Sequence, residues 1–195
     1  MKVSIRNKIQ KFLVNKKLDQ TFSIFKKVGE EFIEQEDGYF AGNKERVPFY
    51  KKNVKKTGKT EFVKVLQIGL DTEYEQNGIN KNDIISYQLY MPAYNLGVIF
   101  YTNPKNYKRF ELETFFQLIN EVFNHANYYK EIDIISHFSV AEMNSFDNYK
   151  EFIKDHKFDR NIQMIQKSFA TITPINYKYT SASNHIKNAK ITLSD

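Results

Sequence analysis

The chain contains no cysteine. That absence excludes disulfides, thiolate nucleophiles and cysteine-ligated zinc, and it makes an intracellular, cytoplasmic location the default expectation. No stretch approaches the ~18–20 consecutive apolar residues that a membrane-crossing helix needs, so no membrane partner is expected. The opening MKVSIRNKIQKFLVNKK is positively charged but lacks an uninterrupted apolar block and a small-residue cleavage site. It does not read as a secretory leader. The histidines, His125, His137, His156 and His185, form no i, i+4 pair, which argues against a histidine zinc site. There is no Gly-x-Ser-x-Gly elbow. TGKT at Thr57–Thr60 imitates the end of a phosphate-binding loop, but Asn53 falls where the leading glycine should be.

What is present is 195 residues, enough for one domain with an appendage, and a net charge of +6 that is unevenly placed. Residues 1–60 hold 15 Lys and Arg against 7 Asp and Glu, a net of +8. Residues 61–195 hold 14 against 16, a net of −2. A basic part on a mildly acidic body suits a protein that grips a polyanion with one region and does chemistry with another. We therefore divide the chain into a basic helical extension and arm, 1–60, and a main domain, 61–195.

Apolar residues at Ile5, Ile9, Phe12 and Leu13, then Phe22, Phe25, Val28, Phe32 and Ile33, have helical spacing, which predicts one or two helices over 4–36. The basic stretch GNKERVPFYKKNVKKTGKT that follows reads as a loop or arm. From Glu61 the texture changes. FVKVLQIGLDTEY, DIISYQLYMP and NLGVIFYTN, separated by short polar turns, read as three strands of an antiparallel meander. NYKRFELETFFQLINEVFNHANYY reads as a helix, EIDIISHF as a buried strand and SVAEMNSFDNYKEFIKDH as a second helix. IQMIQKSFATITPINYKYT, broken at Pro174, and KITLSD supply the last strands. Three antiparallel strands, a helix, a fourth strand, a helix and a fifth strand make up the element order of the ribonuclease H-like α/β fold, a mixed sheet flanked by helices. A right-handed crossover lays EIDIISHF parallel to the first strand, and its C-terminal end then falls near the end of that strand.

Two carboxylates mark that strand end. Asp71 and Glu73, one residue apart in LDTEY, point to the same face of a strand. Like charges so close repel unless a cation lies between them, and hard divalent ions prefer carboxylate oxygens. Two solvated acids without a role are the plain alternative.

LDTEY, followed by a strand that runs into SHFSVAEM, resembles the first two motifs of the DEDD 3′–5′ exonucleases. That family includes DnaQ-like proofreading domains and the exonuclease domains of family B polymerases. Asp71 and Glu73 match its Asp-x-Glu. His137 falls at the His position of its second motif and Glu142 at the Asp position, with Phe138 in place of Asn and Glu in place of Asp. Asp147, in NSFD, is the alternative ligand. The third motif, a Tyr or His four residues before an Asp, has no match past Glu142, and ITLSD resembles the segment that precedes it. The expectation is therefore an N-terminal piece of a longer protein, with Asp195 as a substitute acid if it is not. Such a piece would be inactive or feeble alone.

The resemblance implies two divalent cations, Mg²⁺ or Mn²⁺, held by Asp71, Glu73 and Glu142, and hydrolysis of terminal phosphodiesters. The substrate implied is single-stranded nucleic acid, DNA favoured, with the rest of a polymerase-like polypeptide as a further partner. Thr72 would lie near the terminal nucleotide and His137 would orient a ligand. Arg46, Lys51, Lys52, Lys55, Lys56 and Lys59 would neutralise backbone phosphates. Tyr90 and Tyr94 are candidates for stacking on a base, while Phe115, Phe116 and Phe123 read as core. A ribonuclease H-like endonuclease and a non-catalytic docking module remain the competing classes.

Overall fold

The computed structural model describes residues 4–39, 49–54, 58–78, 82–124, 127–137, 142–156, 162–165, 168–171, 175–181 and 184–194. At 49, 52–54, 153–156, 162–165 and 168–171 the backbone alone is described. The architecture is α/β: a mixed open sheet, mostly antiparallel, with few helices.

Helix α1 (Ile5–Asn15) starts at Ser4, whose hydroxyl accepts from the Asn7 N–H at 3.0 Å, and it buries Ile5, Ile9, Phe12 and Leu13. The helical reading of the rest of 4–36 is wrong. Residues 21–35 form a hairpin of β1 (Thr21–Val28) and β2 (Glu31–Gln35), paired Val28 to Glu31. The turn needs a left-handed residue, and Gly29 supplies it at φ +63°. Thr21, Ile24, Val28 and the phenylalanines have strand propensity, and the edge of a neighbouring strand, β6, offers the hydrogen bonds that a lone helix would not.

The basic stretch is likewise not all loop: β3 (Phe49–Val54) pairs antiparallel with the start of β4 (Thr60–Gln76). Strands β4, β5 (Asn82–Met91) and β6 (Leu96–Tyr101) form the expected antiparallel meander, and β1 then adds to β6. Helix α2 (Leu112–Leu118), shorter than expected, runs on into a π turn at Ile119–Phe123. Strand β7 (Glu131–Ser136) lies parallel to β4, as the crossover argument requires. Of the second expected helix, α3 (Tyr149–His156) is regular; Glu142 and Met143 are also helical, and turns at 144–148 separate them from it. A small hairpin, β8 (Ile162–Ile165) and β9 (Ser168–Thr171), forms its own two-stranded sheet, with β9 beside β11. Strands β10 (Ile175–Thr180) and β11 (Ile186–Ser194) complete it, with β11 parallel to β7. The order across the sheet is β10-β11-β7-β4-β5-β6-β1-β2, with β3 alongside β4.

Strand alternation sorts the core. Leu66, Ile68, Leu70 and Thr72 of β4, Tyr87 and Leu89 of β5, Val98 and Phe100 of β6, and Ile132 and Ile134 of β7 are buried on one face. The other face carries Gln67, Gly69, Asp71 and Glu73, and Tyr90, Gly97 and Ile99 beside them. Among the described residues no helix is long and apolar enough to cross a membrane.

Candidate functional site

Strand β4 outruns its parallel neighbour. β7 stops at Ser136, opposite Leu70, so the next residues of β4 leave that ladder. Glu142 fills the place. Its carboxylate accepts a short hydrogen bond from the Thr72 hydroxyl and another from the Thr72 backbone. Glu142 is 8 % exposed, and Thr72, on the covered face, is equally buried. Burial pushes the Glu142 carboxyl above its ordinary value. The Thr72 hydrogen bonds oppose the rise, and the charges of Asp71 and then Glu73 add to it.

Asp71 and Glu73 stand on either side of Thr72, exposed, pairing with Gln88 and Ser86 of β5. The expectation that they share a face holds. The ladder slips only after them, between Glu73 and Tyr74, where β5 carries one extra residue. Ile84 is thereby buried and Ile85 turned outward.

Tyr87 sets where Glu142 lies. Its ring is fully buried against Phe110 (centroids 5.1 Å apart) and Phe146 (5.3 Å). Its hydroxyl donates to the Ser145 carbonyl at 2.8 Å and accepts from the Phe110 N–H at 3.3 Å. Ser145 in turn donates from its hydroxyl and its backbone N–H to the Glu142 carbonyl. The 142–146 turn is thus pinned to β5 from below, and sequence reasoning missed this role. An apolar alternation does not reveal which buried tyrosine carries a loop.

The structure brings together Glu142, Thr72, Asp71 and Glu73, but it does not point all three carboxylates at one spot. Glu142 is turned onto Thr72. Among the described residues, no three His, Cys, Asp or Glu side chains are grouped closely enough to hold a metal ion as they stand. The donor chemistry nevertheless fits a hard divalent cation, since Asp71 and Glu73 present oxygens on one face and Glu142 reaches the same strand end. The Thr72 hydroxyl and backbone N–H hold the Glu142 carboxylate where it lies.

The remaining candidates fall elsewhere. Thr72, expected near a nucleotide, is occupied by Glu142. Asp147 donates its backbone N–H to the Phe110 carbonyl and lines a cleft with Arg109, Thr72 and Tyr74. Burial raises its carboxyl above the ordinary value, against the pull of Arg109. His137 is exposed in the turn after β7. Lys51 lies on β3, within 3.7 Å of the buried Glu131, so it is committed to an ion pair. Lys59 is exposed. Arg46, Lys55, Lys56 and Asp195, and the side chain of Lys52, lie outside the described residues. Tyr94 is core: it is buried and donates to the Phe123 carbonyl at 2.9 Å. Tyr90 lines an apolar groove of about 420 Å³ on the open face, with Phe25, Phe32, Gly69 and Ile99, and Asp71 is part of the same lining.

A scan against protein-family models finds no match, and neither curated proteins nor solved structures yield one.

Proposed function

We propose that the chain is a ribonuclease H-like exonuclease domain that removes nucleotides from the 3′ end of single-stranded nucleic acid, DNA favoured. The observation that carries this reading is the convergence at the end of β4. A glutamate 71 residues beyond Asp71 in sequence returns to within hydrogen-bonding distance of the residue between Asp71 and Glu73. The element order supports it too: a three-stranded meander, then β7 and β11 added in parallel on the β4 side. Asp71, Glu73 and a Glu142 released from Thr72 would hold Mg²⁺ or Mn²⁺. Such ions supply an activated water and neutralise the charge that develops on the phosphate. The residues of this chain do the placing. Tyr87 holds the Glu142 turn, and the groove beside Asp71 offers apolar surface, with Tyr90 on its wall, to a terminal base.

Titration with Mn²⁺, read by paramagnetic broadening of backbone amide signals, tests the metal site. Broadening centred on 71–73 and 142 is expected, and Asp71→Ala should abolish it. The companion assay follows a 5′-labelled single strand with a free or a blocked 3′ end. Shortening from a free end alone fits the exonuclease, whereas equal cutting of blocked strands would move the assignment to an endonuclease.

A second reading has its own observation. The Glu142–Thr72 bond and the lack of a three-carboxylate group among the described residues favour a non-catalytic platform that keeps the architecture. Mn²⁺ that leaves the signals at 71–73 and 142 untouched would decide for it.

A further inference from the structure

At the opposite end of the sheet, α1, the π turn and the start of β11 line an open cavity of about 560 Å³. Its floor is apolar, with Phe12 and Val122, and its walls carry Lys8, Lys11 and Lys187 against one carboxylate, Glu121. Lys8 and Lys11, three residues apart, share a face of α1. Lys8 is half-buried, and burial first, then the charge of Lys187, push its ammonium below the ordinary value. Two like charges held near one another in a cleft raise the free energy of the empty site, and a bound anion removes that penalty. Lys187 is also a wall of a second cavity, about 310 Å³, whose lining includes Lys130, Lys190 and Asn127 and, among the described residues, no carboxylate. Lys187 thus stands in both linings, which among the described residues carry five lysines and a single glutamate.

This basic region lies far from the acids. Ile191 of β11 is level with Ile132, which is level with Leu66 of β4. Lys187 lies four residues before that level and Asp71 five beyond it, a separation of about 30 Å along the strands at ~3.3 Å per residue. Its lysines come from α1, β11 and the residue before β7, and not from the basic stretch 42–60.

We propose that the paired cavities around Lys187 form a binding track for the phosphate backbone of nucleic acid, separate from the carboxylate end. One phosphate would fill one cavity. Two neighbouring cavities that share Lys187, with further lysines on each, suit successive phosphates of one chain. The proposal shares its ligand class with the exonuclease reading but needs no hydrolysis.

The test is anisotropy of a fluorescein-labelled oligothymidylate of 20 nucleotides, added to the full chain in EDTA at several salt concentrations. Lys8→Ala/Lys187→Ala should weaken binding about tenfold and flatten the dependence of log affinity on log salt by roughly 1.4, at ~0.7 per lost single-strand contact. The exposed pair Lys11→Ala/Lys190→Ala should act in the same direction, and it decides the matter if the first variant does not fold. Lys26→Ala/Lys105→Ala removes the same charge elsewhere and should change affinity less than twofold. Equal losses in all three variants would reduce the effect to net charge and overturn the track. Inorganic phosphate that competes as well as the oligonucleotide, phosphate for phosphate, would make it a small-anion site and overturn it too. Failure of hydrolysis or of Mn²⁺ binding leaves this proposal standing. Loss of the lysine effect with Mn²⁺ binding intact removes it alone.

Discussion

The two faces of the central sheet are built to different rules. On one, α1, α2 and the 142–149 turn cover an aromatic cluster in which Tyr87, Phe110, Phe115 and Phe146 meet at centroid distances of 4.9–6.3 Å. On the other, Phe32 reaches over from the β1–β2 hairpin to meet Tyr90 edge-on at 5.4 Å and is itself 48 % exposed. Gly97 sits below that ring, and a Cβ added there would meet it at 3.4 Å. The covered face gains its stability from burial and shape. The open face holds little apolar mass and keeps a groove whose end is Asp71. Thr72 belongs to the first face and its two acidic neighbours to the second, so β4 delivers polar groups to both sides at one level. Glu142, arriving at the strand end past β7, meets Thr72 on the covered side, with Asp71 and Glu73 near enough for their charges to act on it.

Truncations on the two faces should separate this contrast most widely. Tyr87→Ala, which opens a cavity and strands the Ser145 carbonyl, should cost about 3–5 kcal/mol in chemical denaturation. Phe32→Ala should cost under about 1 kcal/mol, because its ring is half in water already. Comparable losses would mean that the open face is as well packed as the covered one. Next in size, Thr72→Val removes the hydroxyl donor from Glu142 while keeping shape, and about 1–2 kcal/mol of lost stability is expected. An unchanged denaturation midpoint would show that the bond is not formed in solution.

The smallest effect at neutral pH, and the most specific, belongs to Glu142→Gln. A carboxyl whose folded pKa lies above its unfolded value binds its proton more readily when folded. Its contribution to stability is therefore present at low pH and lost as pH rises from the ordinary glutamate value of 4.5 through the raised one. The amide variant lacks that loss. Its melting temperature relative to the parent should climb across that window and then level off. A difference that stays flat with pH would contradict the burial of this carboxyl beside Asp71 and Glu73.

Much of the fold could be read from the chain because β4, β5, β6 and β7 bury alternate residues on one face, and a period of two is hard to mistake. The hairpin at 21–35 was misread for a definite reason. Phe22, Phe25, Val28 and Phe32 satisfy a spacing of three and four by coincidence, while Gly29 and the free edge of β6 decide the outcome. The shared face of Asp71 and Glu73 followed from the same period of two. The arrival of Glu142 followed from the parallel crossover. Its attachment to Thr72 could not be foreseen, since that pairing depends on where β7 stops relative to β4. Nor could Tyr87, one aromatic among many, be singled out before its hydroxyl was seen under Ser145. The lysines around Lys187 are dispersed along the chain, and only the packing of α1 on the π turn, beside the start of β11, gathers them.

The outermost strand, β2, carries a further consequence. It bears Phe32 and Ile33, both about half exposed, on a margin of the sheet with no strand beyond it in the order described. Such a margin invites stacking of one molecule on the next. Glu31 and Glu34 flank those two residues, so copies meeting there in antiparallel fashion would set acid against acid and be driven apart. Neutralising that pair would turn a guarded border into an adhesive one, and two copies would close edge to edge into a dimer without any change in their chemistry.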